Sequence, residues 1–176
     1  MCFRPQPGAP PRKGFTLVEL LAVLVLIGLV AAAIGHVTRQ QVLARRCADN
    51  LRKIYSALEL HEIDRGTLPR LAFFPDDPKQ DTDSLVVALQ SYGTGGEIFV
   101  CPTAPESLRS LGLTYVWNVQ LNGKKLRSSQ PAEWMLVEIN AMSEGVPPSH
   151  AGRYNILYSD GRVERSKVPP PGLRER

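Results

Sequence analysis

The stretch Gly14-Phe15-Thr16-Leu17-Val18-Glu19-Leu20 opens an apolar run that continues to Gly35. Residues 15–35 contain one charged side chain, that of Glu19. An α-helix rises about 1.5 Å per residue, so a run of this length just crosses a hydrocarbon core of about 30 Å. The run therefore predicts a membrane-spanning half-helix at residues 15–36.

The leader before this run, residues 1–14, carries Arg4, Arg12 and Lys13 and no acidic residue. A basic leader tends to stay cytoplasmic, which sends the C-terminal bulk of the chain across the membrane. Three interpretations fit: a plain membrane anchor, a secretory signal cut near Ala31-Ala32-Ala33, or a prepilin signal cut on the cytoplasmic side after Gly14.

The residues around Gly14 favour the third interpretation. The sequence Lys13-Gly14-Phe15-Thr16-Leu17-Val18-Glu19-Leu20 resembles the site at which prepilin peptidase cuts type IV pilins and type II secretion pseudopilins. The resemblance implies that residues 1–14 are a cleaved leader and that the new α-amine of Phe15 is methylated. It also implies four kinds of partner: prepilin peptidase, other pilin or pseudopilin subunits, an inner-membrane assembly platform and the lipid bilayer.

Glu19 is an acidic residue inside an apolar run. A charge at the membrane centre costs about 2.5–3.5 kcal/mol or more, so such residues usually have a partner. The resemblance implies that Glu19, the fifth residue after the cut, acts in filament assembly by meeting the amine of a neighbouring subunit. The alternative is that Glu19 lies near the membrane interface and reaches water.

The apolar period continues beyond the membrane run, over residues 37–66. Residues at steps of three, four or seven form one apolar helical face: Val37, Ala44, Cys47, Leu51, Ile54, Leu58 and His61. Gly66 and Pro69 are expected to end this amphipathic half of the helix.

Residues 67–168 are predicted to form a small C-terminal domain. A loop at 67–83 leads to a short helix, Leu85 to Tyr92, capped by Ser84. Short strands are predicted at 98–102, 114–119, 134–139, 154–158 and 162–165. Asp160-Gly161 between the last two predicts a hairpin and hence an antiparallel sheet. The fold class is therefore α+β and pilin-like, with a long N-terminal helix against a small sheet, and the Pro-rich end, residues 169–176, is predicted to be disordered.

The spacing of His150 and Asp160-Gly161 resembles the His-X9-Asp-Gly signature of a large bacterial group of pilin-like proteins. One interpretation pairs His150 with Asp160 across the sheet as a metal or ligand site. The other gives His150 a structural hydrogen bond to a loop carbonyl or to Asp160. One histidine and one aspartate are too few for a closed metal site, so the sequence predicts neither metal nor cofactor.

Three cysteines are present: Cys2, Cys47 and Cys101. None forms a C-x-x-C pair, which argues against a zinc ribbon. Cys2 leaves with the leader. Cys47 and Cys101 then remain in a domain facing an oxidising periplasm, where they form either a disulfide or two buried thiols.

The charge balance gives little support for a nucleic-acid partner. Removing the three basic residues of the leader leaves 18 of the 21 basic residues against 17 acidic ones. The basic character therefore belongs partly to the leader, and the sequence predicts no nucleic-acid binding.

The combined features predict a structural filament subunit, not an enzyme. It would be a single-pass inner-membrane protein with its C-terminal domain in the periplasm, assembled into a type II secretion-like or type IV pilus-like filament. One alternative is a membrane-anchored ligand-binding or adhesive module that uses the region from His150 to Asp160. Another is a secreted hydrolase, for which the sequence offers no recognisable nucleophile group.

Overall fold

The structure is a computed structural model that describes residue 14, residues 16–126 and residues 131–174. The predicted leader and Phe15 lie outside the described residues except for Gly14. The chain divides into two compact units, Met1–Thr38 and Arg39–Arg176, which are described separately below. The helices of the described residues are α1 (Leu17–Arg65), α2 (Leu85–Leu89) and α3 (Glu106–Arg109). The strands are β1 (Tyr115–Trp117), β2 (Trp134–Glu138), β3 (Tyr154–Tyr158) and β4 (Val163–Ser166).

In the first unit, α1 is apolar and uncovered. Every described residue from Thr16 to Thr38 is exposed, including leucines, isoleucines and valines that normally lie inside soluble proteins. By length and composition, α1 is the helix among the described residues that could cross a membrane. A helix satisfies its backbone hydrogen bonds internally, so an apolar helix with exposed side chains is suited to a lipid environment.

In the second unit, α1 is amphipathic, and five of the seven residues predicted for its packing face are buried. Of the other two, His61 is half-buried, and Val37, in the first unit, is exposed. The buried residues recur at helical spacing: Ala44, Cys47, Ala48, Leu51, Ile54, Ala57 and Leu58. The helix ends at Arg65, where Gly66 adopts a φ of +82° and donates its N–H to the Glu62 carbonyl at 2.7 Å. A residue with positive φ at this point is the usual glycine stop of an α-helix.

The sheet is antiparallel throughout, with the order β1-β2-β3-β4 in the described residues. One sheet face packs with the buried stripe of α1 in a core that contains Leu51, Leu58, Trp117 and Leu136. The other face carries a second apolar cluster around Val116, which also holds Leu173 from the C-terminal segment. These observations confirm the α+β, pilin-like fold class.

The C-terminal segment differs from the predicted disordered tail, residues 169–176. Leu173 is fully buried in the second cluster, and the Trp134 indole Nε1–H donates to the Pro171 carbonyl at 3.1 Å. The Arg174 side chain donates to the Ala141 carbonyl at 2.9 Å. The prediction was wrong for residues 169–174, because Leu173 packs into the second apolar cluster and covers a sheet face that would otherwise be open.

The predicted strand at 98–102 is also not a strand. Gly96–Phe99 forms a 3₁₀ turn. Two backbone groups that follow this turn form hydrogen bonds with side chains. The Cys101 N–H donates to the Thr114 hydroxyl at 2.6 Å, and the Asn50 side chain donates to the Val100 carbonyl at 3.2 Å. Because side chains occupy these two backbone groups, the groups are not available for pairing with a strand. The apolar segment therefore lies beside the core and is not part of the sheet.

Candidate functional site: the N-terminal segment and a buried Cys-Cys-Glu-His cluster

The helix α1 begins with a reciprocal cap between Thr16 and Glu19. Thr16 donates both its backbone N–H and its hydroxyl to Glu19 Oε2, at 2.9 and 2.8 Å, and the Glu19 N–H donates to the Thr16 hydroxyl at 3.2 Å. This is a capping box, in which two residues three apart satisfy the free N–H groups of the first turn. The pattern Thr-x-x-Glu before an apolar run is visible in the sequence, although the interpretations of Glu19 considered a partner in another subunit or water at the interface and not this cap.

In the first unit, the structure therefore shows an exposed Glu19 that is already hydrogen-bonded within its own chain. Its carboxylate has accepting capacity left, because each carboxylate oxygen can take more than one hydrogen bond. The cap and an intermolecular partner are thus chemically compatible. Gly14, the residue before the predicted cut, is exposed as well.

A second site lies inside the C-terminal domain, where four side chains converge. Cys47 comes from the buried face of α1, and Cys101 follows the 3₁₀ turn Gly96–Phe99. Glu138 ends β2, and His150 lies in the loop before β3. All four are at most 2% exposed, and their ligand-type atoms lie within 4.8 Å of one another.

Direct contacts link the four side chains. His150 Nε2 lies 3.0 Å from Glu138 Oε1 and 3.4 Å from Cys101 Sγ. The Cys47 thiol donates to Glu138 Oε1 at 3.3 Å. The partner of His150 is therefore Glu138, whereas Asp160 lies in the exposed β3–β4 turn and caps it by accepting the Arg162 N–H at 3.0 Å. Of the interpretations that the sequence leaves open for His150, the pairing with Asp160 is therefore not the contact that the described residues show.

The sequence analysis missed Glu138, although the strand around it carried a signal. β2 reads Trp-Met-Leu-Val-Glu, and all five residues are buried. An acidic residue at the end of a wholly buried strand needs a partner, because an unpaired charge in an apolar interior is very costly. The Asn155 N–H donates to Glu138 Oε1 at 3.2 Å and to Glu138 Oε2 at 3.0 Å. The other contacts of the Glu138 carboxylate are with Cys47 and His150.

Burial and mutual contact shift the protonation of the cluster. The interaction with Cys47 lowers the pKa of Cys101, and the same interaction, together with burial, raises the pKa of Cys47. Burial alone would lower the pKa of His150, but its contacts with Cys101 and Glu138 raise it above the usual value. Burial raises the pKa of Glu138, against the lowering effect of its hydrogen bond with His150. The contact between His150 and Cys101 thus shifts the pKa of the imidazole upward and that of the thiol downward.

The two cysteines are present as free thiols in this structure, and both are fully buried. A disulfide between them, one of the two states that the sequence leaves open, stays a prediction. The alternative of a ligand-binding module at His150 to Asp160 loses its structural basis, because His150 points into the interior while Asp160 is exposed. A groove of about 730 Å³ lies elsewhere, between α1 and the loops near Glu97 and Pro102.

The fold and the N-terminal segment together define a class of protein: a pilin-like α+β domain that follows an apolar N-terminal helix. Residues 10–35 match the family model of the prokaryotic N-terminal methylation motif. The N-terminus is therefore a prepilin-type leader joined to a membrane-capable helix, and the motif marks a pilin-like substrate of prepilin peptidase. No curated protein and no solved structure matches the chain. The His-X9-Asp-Gly resemblance lies outside residues 10–35 and stays a prediction.

Proposed function

We propose that this chain is a structural subunit of a type II secretion-like or type IV pilus-like filament. Prepilin peptidase cuts it after Gly14, and the α-amine of Phe15 is then methylated. Before assembly, the mature chain remains in the inner membrane as a single-pass protein with its C-terminal domain in the periplasm. The observation that carries the proposal is the methylation motif at residues 10–35, which overlaps the part of α1 from Leu17 to Thr38 whose residues are all exposed.

Assembly would replace lipid around the exposed apolar half of α1 by the same half of neighbouring subunits. Glu19 is the acidic residue of that half, and a neighbouring Phe15 amine would satisfy it at low dielectric, where a charged pair is strong. Other filament subunits and an inner-membrane assembly platform are the partners that this route requires. The proposed role is structural, and the chain acts as the substrate of the peptidase and not as an enzyme.

The decisive test is the N-terminus of the mature protein, read by mass spectrometry after expression with and without a prepilin peptidase. We expect a chain that starts at methylated Phe15 when the peptidase is present, and an uncut chain when it is absent. A Gly14→Glu variant should stay uncut, whereas Ala33→Glu, which alters the competing secretory site, should still be cut before Phe15. A mature chain that starts at Ile34 would refute the proposal and indicate a secreted protein.

A further inference from the structure

The four buried side chains Cys47, Cys101, Glu138 and His150 have the composition of a metal site. Two thiols, an imidazole and a carboxylate are the side chains that bind Zn²⁺, and a closed structural zinc site takes four of them. Each offers one ligand atom, and these atoms lie within 4.8 Å of one another. The four residues come from α1, two loops and the end of β2, which explains why no short sequence motif reveals the group.

Two of the distances between the ligand atoms match those of a tetrahedral site, and a third is slightly shorter. Zn–S bonds of about 2.3 Å and Zn–N or Zn–O bonds of about 2.0–2.2 Å place neighbouring ligands about 3.3–3.8 Å apart. Cys47 Sγ lies 3.3 Å from Glu138 Oε1, and Cys101 Sγ lies 3.4 Å from His150 Nε2. His150 Nε2 and Glu138 Oε1 are 3.0 Å apart, so a modest opening of this pair would admit the ion.

Each ligand also has a second contact that holds it in place. The Tyr115 hydroxyl lies 3.3 Å from Cys47 Sγ, and the Thr103 hydroxyl lies 3.1 Å from Cys101 Sγ and 3.4 Å from His150 Nδ1. The Asn155 N–H donates to both oxygens of Glu138. Such outer contacts orient zinc ligands and disperse their negative charge. Two thiolates and a carboxylate around Zn²⁺ carry one net negative charge. The hydroxyl and N–H groups named above lie beside the atoms that carry this charge.

We propose that Cys47, Cys101, Glu138 and His150 form a closed structural zinc site at the centre of the C-terminal domain. Zn²⁺ displaces two protons, the thiol proton of Cys47 and the one proton held by the Cys101–His150 pair, and both pass to solvent. The ion then ties α1 to β2 and to the two loops, so its binding energy adds to the stability of the fold. This proposal departs from the sequence-based expectation of no metal, and it does not depend on whether the chain enters a filament.

A disulfide between Cys47 and Cys101 is the competing state of the same cysteines. It would use two of the four side chains and leave His150 and Glu138 as a buried ion pair. Buried ion pairs contribute little net stability, because desolvation offsets their attraction. The structure brings all four side chains together at one point, which is the arrangement that a zinc site would use.

The test uses the full chain, purified from membranes in detergent without chelator. We expect about one zinc ion per chain by elemental analysis. After chelation under reducing conditions, addition of Co²⁺ alone should give thiolate-to-cobalt charge-transfer absorption and the visible bands of tetrahedral cobalt, and Zn²⁺ should abolish both. Intact-mass analysis with thiol labelling should show Cys47 and Cys101 reduced and protected from the label until a chelator is added.

Variants locate the site. Cys101→Ser and His150→Gln should lose the cobalt absorption, whereas the matched controls Cys2→Ser and His61→Gln should keep it. Tyr115→Phe should weaken zinc binding by about 10- to 100-fold while the cobalt bands persist, as expected for an outer contact. If the ligand variants fail to fold, the wild-type chain decides. A Cys47–Cys101 disulfide in its mass spectrum, or reduced cysteines without zinc and without cobalt absorption, overturns the proposal.

Discussion

At the scale of single residues, Gly161 shows why the last hairpin requires glycine. Its φ is +83°, and a Cβ at this position would lie 2.8 Å from the Tyr55 ring. Gly161→Ala should lower the free energy of unfolding by about 2–4 kcal/mol, from backbone strain together with overpacking. Chemical denaturation of the purified chain measures this change.

Gly152 provides the matched control for Gly161. Its φ is +74°, but a Cβ there would meet nothing within 4 Å. Gly152→Ala should therefore cost only the backbone strain, about 1–2 kcal/mol. Equal losses in the two variants would contradict the role of the Tyr55 contact.

Glu19 combines a cap and a proposed docking charge, and two substitutions separate them. Glutamine can replace glutamate in a capping box, so Glu19→Gln keeps the cap and removes the charge. Thr16→Val removes the cap and keeps the charge. We expect Glu19→Gln to be cleaved and inserted normally but to weaken each subunit contact by about 2–5 kcal/mol, as when one partner of a buried charge pair is lost.

Filament yield, measured by shearing and by electron microscopy beside peptidase cleavage, distinguishes the two variants. Thr16→Val should keep most of the filament yield, because a cap contributes only about 1 kcal/mol to the helix. If Thr16→Val abolished filaments while Glu19→Gln preserved them, the carboxylate would act through the cap and not through a neighbouring subunit.

The residue scale also shows where sequence reasoning reaches its limit. Cys47 could be placed on the buried face because its neighbours repeat at helical spacing, which is a local property. The partner of His150 could not be found in this way, since Glu138 is 12 positions away and meets it only through the pairing of β2 with β3. Asp160, ten positions after His150, serves the turn instead.

At the scale of elements, periodicity predicted α1 and most of the sheet. The helix follows one continuous pattern from the membrane run to the Gly66 stop, and four of the predicted strands lie close to β1 through β4. The segment at 98–102 looked like a strand because it is short and apolar. Composition cannot show whether such a segment finds a pairing partner, and here side chains satisfy its backbone instead.

The C-terminal segment gives a prediction at this scale. Leu173 is fully buried, and burying a leucine contributes about 1.5–3 kcal/mol. Leu173→Ala should lower the free energy of unfolding by about 2–5 kcal/mol, because truncation also leaves a cavity. Val168→Ala is the control, since Val168 is 66% exposed and should cost little.

Trp134 reports the same contact spectroscopically, because its indole donates to the Pro171 carbonyl. Deleting residues 169–176 should shift the Trp134 fluorescence to longer wavelength, because the sheet face that Leu173 covers becomes exposed to water. If the deletion left both the fluorescence and the stability unchanged, the result would indicate that this segment is disordered, as its composition suggests.

At the scale of the whole molecule, the two units have opposite solvent requirements. The buried apolar residues of the described chain run from Ala44 to Leu173 and all belong to the second unit. The helix residues of the first unit are all exposed, and most of them are apolar. The first unit therefore gives the core no buried residue, and its apolar surface requires lipid or other subunits.

This division predicts that residues 39–176 fold without the membrane half of α1. The fragment should be soluble without detergent and unfold in one cooperative transition, because it keeps the whole buried stripe of the helix. A fragment of residues 52–176 is the matched control. It lacks Ala44, Cys47 and Leu51, so it opens the core to water and should aggregate or unfold without cooperativity. Circular dichroism and thermal unfolding compare the two. If the longer fragment also failed to fold while the full chain unfolded cooperatively in detergent, the membrane half would be part of the folding unit and not only an attachment to it.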